Sequence, residues 1–329
     1  MNKNVLELKE PIVSCYTSYG ALFSIIPENM MPWVYNNFIQ IRYAKSWDML
    51  TFDNHRMFIG NCPGISFYII SKTIFKNNFN TTLKNAIIEA INANQYIFMY
   101  IDRYYLPGTK EYETYHFEHE IFIYGYDLHK DIVYAADNFQ NGKYMSMECS
   151  FSALENGYRN IENEYDFITD IRFISVKPES QSYIDIDQII DGIERYLYSR
   201  KTFDMLYEQD CYFGINIINM LKKHIDNNFQ EDSELDIRTF HLLYEHKILM
   251  ELRIKYLIDL GYLPHKNIEI DDFIKLKKEF LKLRNIALKY NVTKQKKLLS
   301  CISKFLHKST TFEQSLLEKL LVLLKNLQI

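Results

Sequence analysis

The sequence predicts an α+β fold over its first half and an all-α region over its second. Up to about residue 180, short runs rich in Ile, Val, Tyr and Phe alternate with polar turns, which is typical of β-strands. After Ser180, apolar residues recur at helical spacing to the end of the chain. With 329 residues and 47% hydrophobic content, the chain is long enough for two domains. We therefore place one domain at residues 1–180 and a helical region at residues 181–329.

The N-terminal segment leads to a cysteine at the start of a predicted helix. Residues 1–12 form a short strand or arm, and the following stretch becomes an apolar run that ends at Pro27. Ser14 is a suitable N-cap, which makes Cys15 the first residue of this helix. A thiol at this end of a helix meets the positive end of the helix dipole, which lowers its pKa and increases the thiolate fraction.

The middle of the first domain contains weaker and stronger signals. Residues 31–60 show little periodicity, and only Asn37–Tyr43 is predicted there as a strand. Thr82–Asn94 has apolar residues at helical spacing, with Thr81 or Thr82 as its cap. Further along the chain, the patterns predict strands at Gln95–Asp102, Lys143–Cys149 and Phe167–Val176, and a short helix at Phe151–Gly157.

A β-hairpin is predicted from His119–Tyr126 and Asp131–Ala136, which flank a short polar turn. If the turn centres near Leu128, His119 lies directly opposite Asp137. Directly opposed residues share a face of the sheet, with Cβ atoms roughly 4.5–5.5 Å apart. An imidazole beside a carboxylate, with a thiol elsewhere in the chain, is the arrangement of a Cys-His-Asp catalytic site.

These residue types also have simpler roles. A cysteine at an apolar helix start is commonly a small buried hydrophobe, and a single histidine on a strand is commonly structural. His116 competes with His119, but strand alternation places His116 on the other side, so His119 is the predicted base. Asp102, Tyr104 and Tyr105 lie at the end of a neighbouring strand and are predicted to line a substrate pocket, with structural packing as the alternative.

The cysteines and the N-terminus exclude several classes of protein. The five cysteines are odd in number and widely spread, and no CxxC pair occurs, so neither a disulfide framework nor a zinc site is expected. The N-terminus has no apolar core of a signal peptide, and no window reaches 18 uninterrupted apolar residues. We expect a cytoplasmic protein with no metal and no cofactor.

Residues 273–308 form a basic strip. They contain eleven Lys and Arg and one acidic residue, Glu279, although the whole chain has a net charge of −4. Such a strip suits an acidic carrier protein or a nucleic acid. A solvated Lys-rich face on amphipathic helices is the commoner explanation.

Four motifs carry a resemblance to a known family. They are the Cys that opens the first helix, Asp102-Arg103-Tyr104-Tyr105-Leu106-Pro107, a strand from His119 that contains Gly125-Tyr126-Asp127, and Asp137 after the next strand. With these motifs, residues 8–176 resemble the butirosin-biosynthesis H-protein family, which is related to papain-like enzymes. The resemblance implies a papain-like fold in which Cys15 is the nucleophile, His119 the base and Asp137 the orienting residue.

The resemblance also implies a function. Members of this group form amides in antibiotic biosynthesis by moving acyl chains from carrier proteins to amines, whereas the related exporter peptidases cut leader peptides. The implied partners are an acyl or peptidyl carrier protein and an amine, with no nucleic acid and no membrane. Those peptidases have a Gln shortly before the Cys, and none occurs in Lys9–Ser14. Its absence favours acyl transfer, because a thioester is an easier electrophile than an amide.

Two alternatives stay open from the sequence. A cysteine peptidase or thioesterase of the same fold would use a peptide substrate or water in place of the amine. The shape of the pocket and the exclusion of water decide which group attacks. A non-catalytic binding protein, for example one for self-resistance, would keep the fold with an unreactive Cys15. The region at 181–329 is expected to form a cap, a dimerisation layer or a docking surface for the carrier.

Overall fold

The structure is a computed structural model that describes residues 2–53, 61–78, 82–140, 142–162, 166–202, 211–227, 233–264 and 270–328. The chain divides into two compact units. Unit 1 consists of Met1–Met30 and Met57–Gln181, and unit 2 consists of Met31–Arg56 and Ser182–Ile329.

The described residues form strands and helices throughout both units. The strands are β1 (Lys3–Val5), β2 (Ile41–Ala44), β3 (Met49–Phe52), β4 (Ile65–Ile70), β5 (Tyr96–Asp102), β6 (Glu118–Asp127), β7 (Ile132–Gln140), β8 (Lys143–Ser150), β9 (Ile171–Val176) and β10 (Cys211–Phe213). The helices are α1 (Thr17–Ile25), α2 (Met31–Asn37), α3 (Lys72–Asn78), α4 (Leu83–Asn92), α5 (Phe151–Arg159), α6 (Asp166–Thr169), α7 (Ile186–Leu197), α8 (Asn216–Asn227), α9 (Ile237–Asp259), α10 (Ile270–Thr293) and α11 (Lys296–Lys325).

Unit 1 is built on a seven-stranded antiparallel sheet. The strand order is β4-β9-β5-β6-β7-β8, and β1 pairs with β6 outside this path. Alternate apolar residues on one face of the central strands pack with helices α4 and α5 in one buried core. Members of this core are Ile97, Met99, Ile101, Ile121, Ile123, Val133, Ala135, Ile87, Ile91 and Leu154. The antiparallel α+β character of this region agrees with the prediction.

Helix α4 is determined by its local sequence. Its buried residues include Leu83, Ile87 and Ile91, which recur at helical spacing along one face. The Thr82 hydroxyl is the N-cap and accepts a hydrogen bond from the Asn85 N–H at 3.2 Å. The helix and its Thr82 cap agree with the prediction, and the alternative cap, Thr81, lies outside the described residues.

Strands β6 and β7 form the predicted hairpin with a different register. Phe122 pairs with Ala136, and a β-bulge shifts the pairing between Ile123 and Gly125. Gly125 also faces β1, where an added Cβ would lie 2.9 Å from the carbonyl oxygen of Asn4. The close approach of β1 therefore requires glycine at this bulge.

This register corrects the predicted opposition of His119 and Asp137. Extension of the Phe122–Ala136 pairing places Asp137 opposite Ile121, two residues along from His119. The two site residues are therefore diagonal neighbours on the same face. Diagonal neighbours have Cα atoms roughly 7–8 Å apart, which long side chains can still span.

The segment from Met31 to Phe52 differs most from its prediction. A strand was expected at Asn37–Tyr43, but α2 ends at Asn37 and β2 begins at Ile41. In unit 2, β2 pairs with β3 and β10 in a separate three-stranded antiparallel sheet. The segment Met31–Arg56 thus belongs to unit 2 and not to the domain at residues 1–180 in which the sequence placed it.

A buried arginine explains why this segment belongs to unit 2. Arg253 on α9 is fully buried, and its Nε donates a hydrogen bond to the carbonyl oxygen of Tyr35 at 2.7 Å. Its Nη2 donates to the carbonyl oxygen of Phe38 at 2.8 Å. These bonds satisfy the carbonyls at the end of α2, which have no partner within the helix.

The remainder of unit 2 is mostly helical, as predicted. Helix α9 ends before Gly261, whose positive φ of 79° suits glycine. No helix in the described part of the chain is long and apolar enough to cross a membrane.

Candidate active site

Cys15 lies on the segment that leads into α1. The helix begins at Thr17, and its N-cap Tyr16 has an extended backbone with φ −129° and ψ 150°. The predicted start at Cys15, with Ser14 as the cap, is therefore two residues early. Cys15 is buried, with 4% of its surface exposed, and it directly precedes the helix end where the dipole is positive.

The structure brings His119 and Asp137 together. The distance from His119 Nδ1 to Asp137 Oδ1 is 3.2 Å. The Asp137 side chain is 1% exposed, whereas the His119 side chain is 28% exposed. The imidazole also stacks on the ring of Phe117, with ring centroids 5.4 Å apart. His119 is thus held by a buried carboxylate on one side while part of its ring faces solvent.

Three donors other than His119 bind the carboxylate of Asp137. The Thr17 hydroxyl and the Asn138 backbone N–H both donate to Oδ1, the latter at 2.6 Å. Arg103 Nη2 donates to Oδ2 at 2.5 Å. Hydrogen bonds to a carboxylate favour its ionised form. Asp137 is therefore arranged to remain an anion although it is buried.

Asn138 connects the cysteine segment to this strand. Its Nδ2 donates hydrogen bonds to the carbonyl oxygen of Ser14 at 3.0 Å and to that of Gly142 at 2.9 Å. Residues on both sides of Cys15 are thus tied to β7, Ser14 through Asn138 and Thr17 through Asp137. These bonds draw residues 14–16 out of the helix and explain its late start.

Arg103 is a further member of the site that the sequence prediction missed. It lies in a short 3₁₀ turn directly after β5, and its side chain is 5% exposed. Its Nη2 lies 3.0 Å from His119 Nδ1 and 3.3 Å from the carbonyl oxygen of Asn138. A charged residue directly after a buried strand was the available signal, because such a residue needs a buried partner.

The electrostatic environment shifts the pKa values of His119 and Asp137. Burial acts to lower the pKa of His119, but the attraction of Asp137 outweighs burial and raises it above its ordinary value. Burial acts to raise the pKa of Asp137, but His119, Arg103 and Thr17 together hold that pKa below its ordinary value. The pair thus favours an imidazolium beside a carboxylate.

The predicted substrate residues form a second group next to the site. Asp102 is 2% exposed, and its Oδ1 accepts hydrogen bonds from the backbone N–H groups of Tyr104 and Phe117, each at 3.0 Å. Its Oδ2 lies 2.6 Å from His116 Nδ1. These contacts give Asp102 a structural role as a cap, and its binding of a substrate stays a prediction.

The tyrosines of this group are more accessible. Tyr104 and Tyr105 are half-buried, and Tyr104 stacks on the ring of His116 with centroids 4.4 Å apart. His116 precedes β6, and 67% of its side chain is exposed. His116 is paired with Asp102, so the described residues contain two separate His-Asp pairs. Asn138 and Thr17 connect the His119 pair to the cysteine segment.

Two of the remaining thiols, those of Cys62 and Cys149, are poorly suited to nucleophilic chemistry. Burial raises the pKa of Cys62 to about 11 and that of Cys149 to about 12, which reduces their thiolate fractions at neutral pH. None of the five cysteines, all of which lie within the described residues, forms a disulfide bond, and Cys301 on α11 is exposed. Among the described residues, no group of three or more His, Cys, Asp or Glu side chains is placed to hold a metal ion.

No protein-family model matches the chain, and no curated protein sequence matches it significantly.

Proposed function

We propose that the protein is a cysteine-dependent acyltransferase that forms amide bonds, with unit 1 as a papain-like catalytic domain. Cys15 is the nucleophile, His119 the base and Asp137 the residue that orients the imidazole. The acyl donor is a thioester on an acyl or peptidyl carrier protein, and the acceptor is an amine. The reaction belongs to the biosynthesis of a secondary metabolite such as an antibiotic.

One observation carries this proposal. The hydrogen bonds of Ser14 and Thr17 bring the cysteine segment to the strand that carries Asp137, whose carboxylate lies 3.2 Å from His119. A nucleophile, a base and an orienting carboxylate in one neighbourhood are the components of a cysteine acyl-transfer site. The exposed part of the His119 ring leaves the base accessible to a substrate.

The first half-reaction loads the enzyme. His119 accepts the proton of the Cys15 thiol, and the thiolate attacks the carbonyl carbon of the carrier thioester. A new carbon–sulfur bond to Cys15 forms as the bond to the carrier sulfur breaks. The imidazolium returns its proton to the departing carrier thiolate, which leaves as a thiol.

The second half-reaction releases the product. The amine attacks the acyl-cysteine, and neutral His119 takes the proton that the amine loses. A carbon–nitrogen bond forms, the bond to Cys15 breaks, and the proton passes to the cysteine sulfur. Asp137 holds the ring in one orientation throughout and stabilises its charged form.

The basic strip supports an acidic carrier protein as the partner. Lys275, Lys278 and Lys282 are exposed on α10, and Lys304 and Lys308 are exposed on α11. Surface cations attract an acidic partner and speed its association. The charge of the strip thus complements a carrier protein.

Mass spectrometry of the intact protein tests the proposal. The protein is incubated with an acyl-loaded carrier in a Cys301→Ser background, because Cys301 is an exposed thiol that would react non-specifically. We expect an acyl adduct on Cys15 that Cys15→Ala abolishes, with Cys62→Ala as the matched control that retains it. Addition of the amine should discharge the adduct as an amide.

Two outcomes would assign a different function. Discharge to the free acid at the same rate with and without amines would indicate a thioesterase, and cleavage of a peptide would indicate a peptidase. An adduct that survives Cys15→Ala, or a Cys15 thiol that iodoacetamide does not modify at neutral pH, would overturn the catalytic proposal.

A further inference from the structure

Arg103 and His119 share one carboxylate. Arg103 Nη2 lies 2.5 Å from Asp137 Oδ2, and His119 Nδ1 lies 3.3 Å from the same oxygen. The guanidinium nitrogen is also 3.0 Å from His119 Nδ1. A permanent cation therefore lies against the ring nitrogen that faces the orienting carboxylate.

This arrangement matters because a buried carboxylate alone would hold the ring as an imidazolium. The second half-reaction needs neutral His119, since an imidazolium cannot take a proton from the amine. A base is most effective when its pKa lies near the operating pH. The site thus needs a charge that offsets Asp137 without displacing it.

We propose that Arg103 is a positioning residue that offsets the charge of Asp137 and keeps the His119 ring able to lose its proton. The proposal rests on the proposed function, in which His119 acts as the base. A guanidinium only donates hydrogen bonds and remains charged, so it stabilises the carboxylate and repels the imidazolium.

The other charged groups around the ring do not replace this role. Asp137 on β7 and Glu120 on the same strand as His119 both favour the imidazolium, and Arg103 opposes them. Glu111 is 1% exposed, and its Oε2 lies 3.9 Å from Arg103 Nη1, so it offsets part of the charge of Arg103. Among the charged groups that act most strongly on His119, Arg103 is thus the cation, and it opposes protonation of the ring.

The position of Arg103 is fixed by packing as well as by charge. The guanidinium carbon lies 5.9 Å from the ring centroid of Phe117 and 5.8 Å from that of Phe139. The backbone of Arg103 is held because its carbonyl oxygen accepts a hydrogen bond from the Thr109 hydroxyl at 3.3 Å. These contacts hold the guanidinium beside Asp137.

The test follows the proton on His119 directly. The protein is labelled with ¹⁵N-histidine, His119 is assigned from the spectrum of His119→Gln, and its titration is compared in Arg103→Gln and Arg103→Lys. Arg172→Gln is the matched control, because Arg172 also lies over a phenylalanine ring in this sheet. We expect the titration midpoint to rise in Arg103→Gln and to stay near the wild-type value in Arg103→Lys and the control.

Chemical modification of Cys15 measures the consequence of this shift. In this reaction the thiolate sulfur displaces iodide from iodoacetamide, and the thiol proton goes to His119. Each unit of upward shift should increase the thiolate–imidazolium population roughly tenfold, so alkylation near neutral pH should become faster in Arg103→Gln. Transfer from acyl-Cys15 to the amine should become slower. A merely structural role would slow both reactions together.

Glu111→Gln keeps the test decisive if Arg103→Gln fails to fold. Removal of the charge that offsets Arg103 should lower the titration midpoint of His119. An unchanged or lower midpoint in folded Arg103→Gln, an equal shift in Arg103→Lys, or no downward shift in Glu111→Gln would overturn the role of Arg103. Failure of the proposed function is distinguishable, since it would show as an unreactive wild-type Cys15 whatever the midpoint of His119.

Discussion

Thr17 and Asp137 lie 120 residues apart, and the Thr17 hydroxyl donates a hydrogen bond to Oδ1 of Asp137. Both side chains are buried. The bond fixes the first residue of α1 to the carboxylate beside His119. The position of Cys15, two residues before Thr17, thus depends on the position of the Asp137 carboxylate.

Replacement of Thr17 by valine should weaken this coupling. Valine keeps the shape but removes the donor, and a buried acceptor that loses a partner costs about 1–3 kcal/mol of unfolding free energy. We also expect slower alkylation of Cys15. Urea unfolding and iodoacetamide kinetics measure the two effects, and Thr17→Ser, which keeps the hydroxyl, is the control. Wild-type behaviour of Thr17→Val in both assays would show that the bond has no role.

The coupling between His119 and Asp137 should depend on pH. The raised pKa of His119 stabilises the fold below its unfolded value of 6.5 and ceases to do so as the pH rises through the folded value. The lowered pKa of Asp137 stabilises the fold above its unfolded value of 3.8 and ceases to do so as the pH falls through the folded value. The interaction is therefore strongest between these two limits.

A double-mutant cycle with His119→Gln and Asp137→Asn measures this interaction. We expect a larger coupling free energy at about pH 5.5 than at about pH 9, since the imidazolium is lost at the higher pH. A coupling that is the same at both values would contradict an ion pair.

Gly20 on α1 should not tolerate alanine. An added Cβ would lie 2.4 Å from ring carbons of Tyr144, so either the helix or the Tyr144 ring would have to move. Overpacking of this kind costs about 1–3 kcal/mol. We expect Gly20→Ala to reduce both the unfolding free energy and the alkylation rate of Cys15. The double variant with Tyr144→Leu makes room for the methyl group and should recover both, and the absence of recovery would assign the effect to another contact.

The buried ion pair of Lys247 and Glu313 in unit 2 should be sensitive to the loss of one partner. Their side chains are 0% and 1% exposed, and the Lys247 Nζ–Glu313 Oε1 distance is 2.5 Å. Glu313→Leu leaves a buried ammonium without its counter-ion, and the expected cost is about 3–5 kcal/mol in urea unfolding. Addition of Lys247→Met should restore much of that loss.

An exposed pair in the same unit provides the comparison. Lys222 lies 2.6 Å from Asp226, and both side chains are about one-third exposed. Lys222→Ala should cost only about 0.3–0.5 kcal/mol, since solvent screens an exposed pair. Equal losses in Lys222→Ala and Glu313→Leu would show that burial does not control these interactions.

Charge reversal of the basic strip should slow loading by a carrier protein. Lys275→Glu, Lys278→Glu and Lys282→Glu together should reduce acylation of Cys15 by the carrier but not by a small N-acetylcysteamine thioester. The effect should shrink at high salt, because surface attraction is screened over roughly 8–10 Å at physiological ionic strength. Equal losses with both donors would indicate damage to the fold, and no loss with either would leave the strip as a solvated helical face.

Sequence patterns predict the elements whose signals are local. Helix α4 and its Thr82 cap depend on residues within a few positions of each other, so periodicity identifies them. The location of His119 and Asp137 on the same face of the sheet was predictable, although the predicted pairing register of β6 and β7 was wrong. Because side chains alternate with a period of two, a two-residue shift leaves both on the same face.

The remainder depends on contacts that no local pattern contains. The bulge at Gly125 is imposed by β1, which is about 120 residues upstream. Arg103 and Thr17 became identifiable only once the buried carboxylate of Asp137 required donors. The helix at Met31–Asn37 was missed because its sequence has almost no apolar periodicity, and its carbonyls are satisfied by a distant arginine.

The two segments of unit 2 are synthesised at different times. Residues up to Arg56 leave the ribosome before the rest of their unit, which begins at Ser182. At a synthesis rate of about 5–20 residues per second, roughly 6–25 s pass between the synthesis of the β2–β3 hairpin segment and that of Ser182. During that interval its apolar side chains have no native partners from the later part of unit 2. During this stage of synthesis, the exposed apolar surface is therefore prone to aggregation and suits binding by a chaperone.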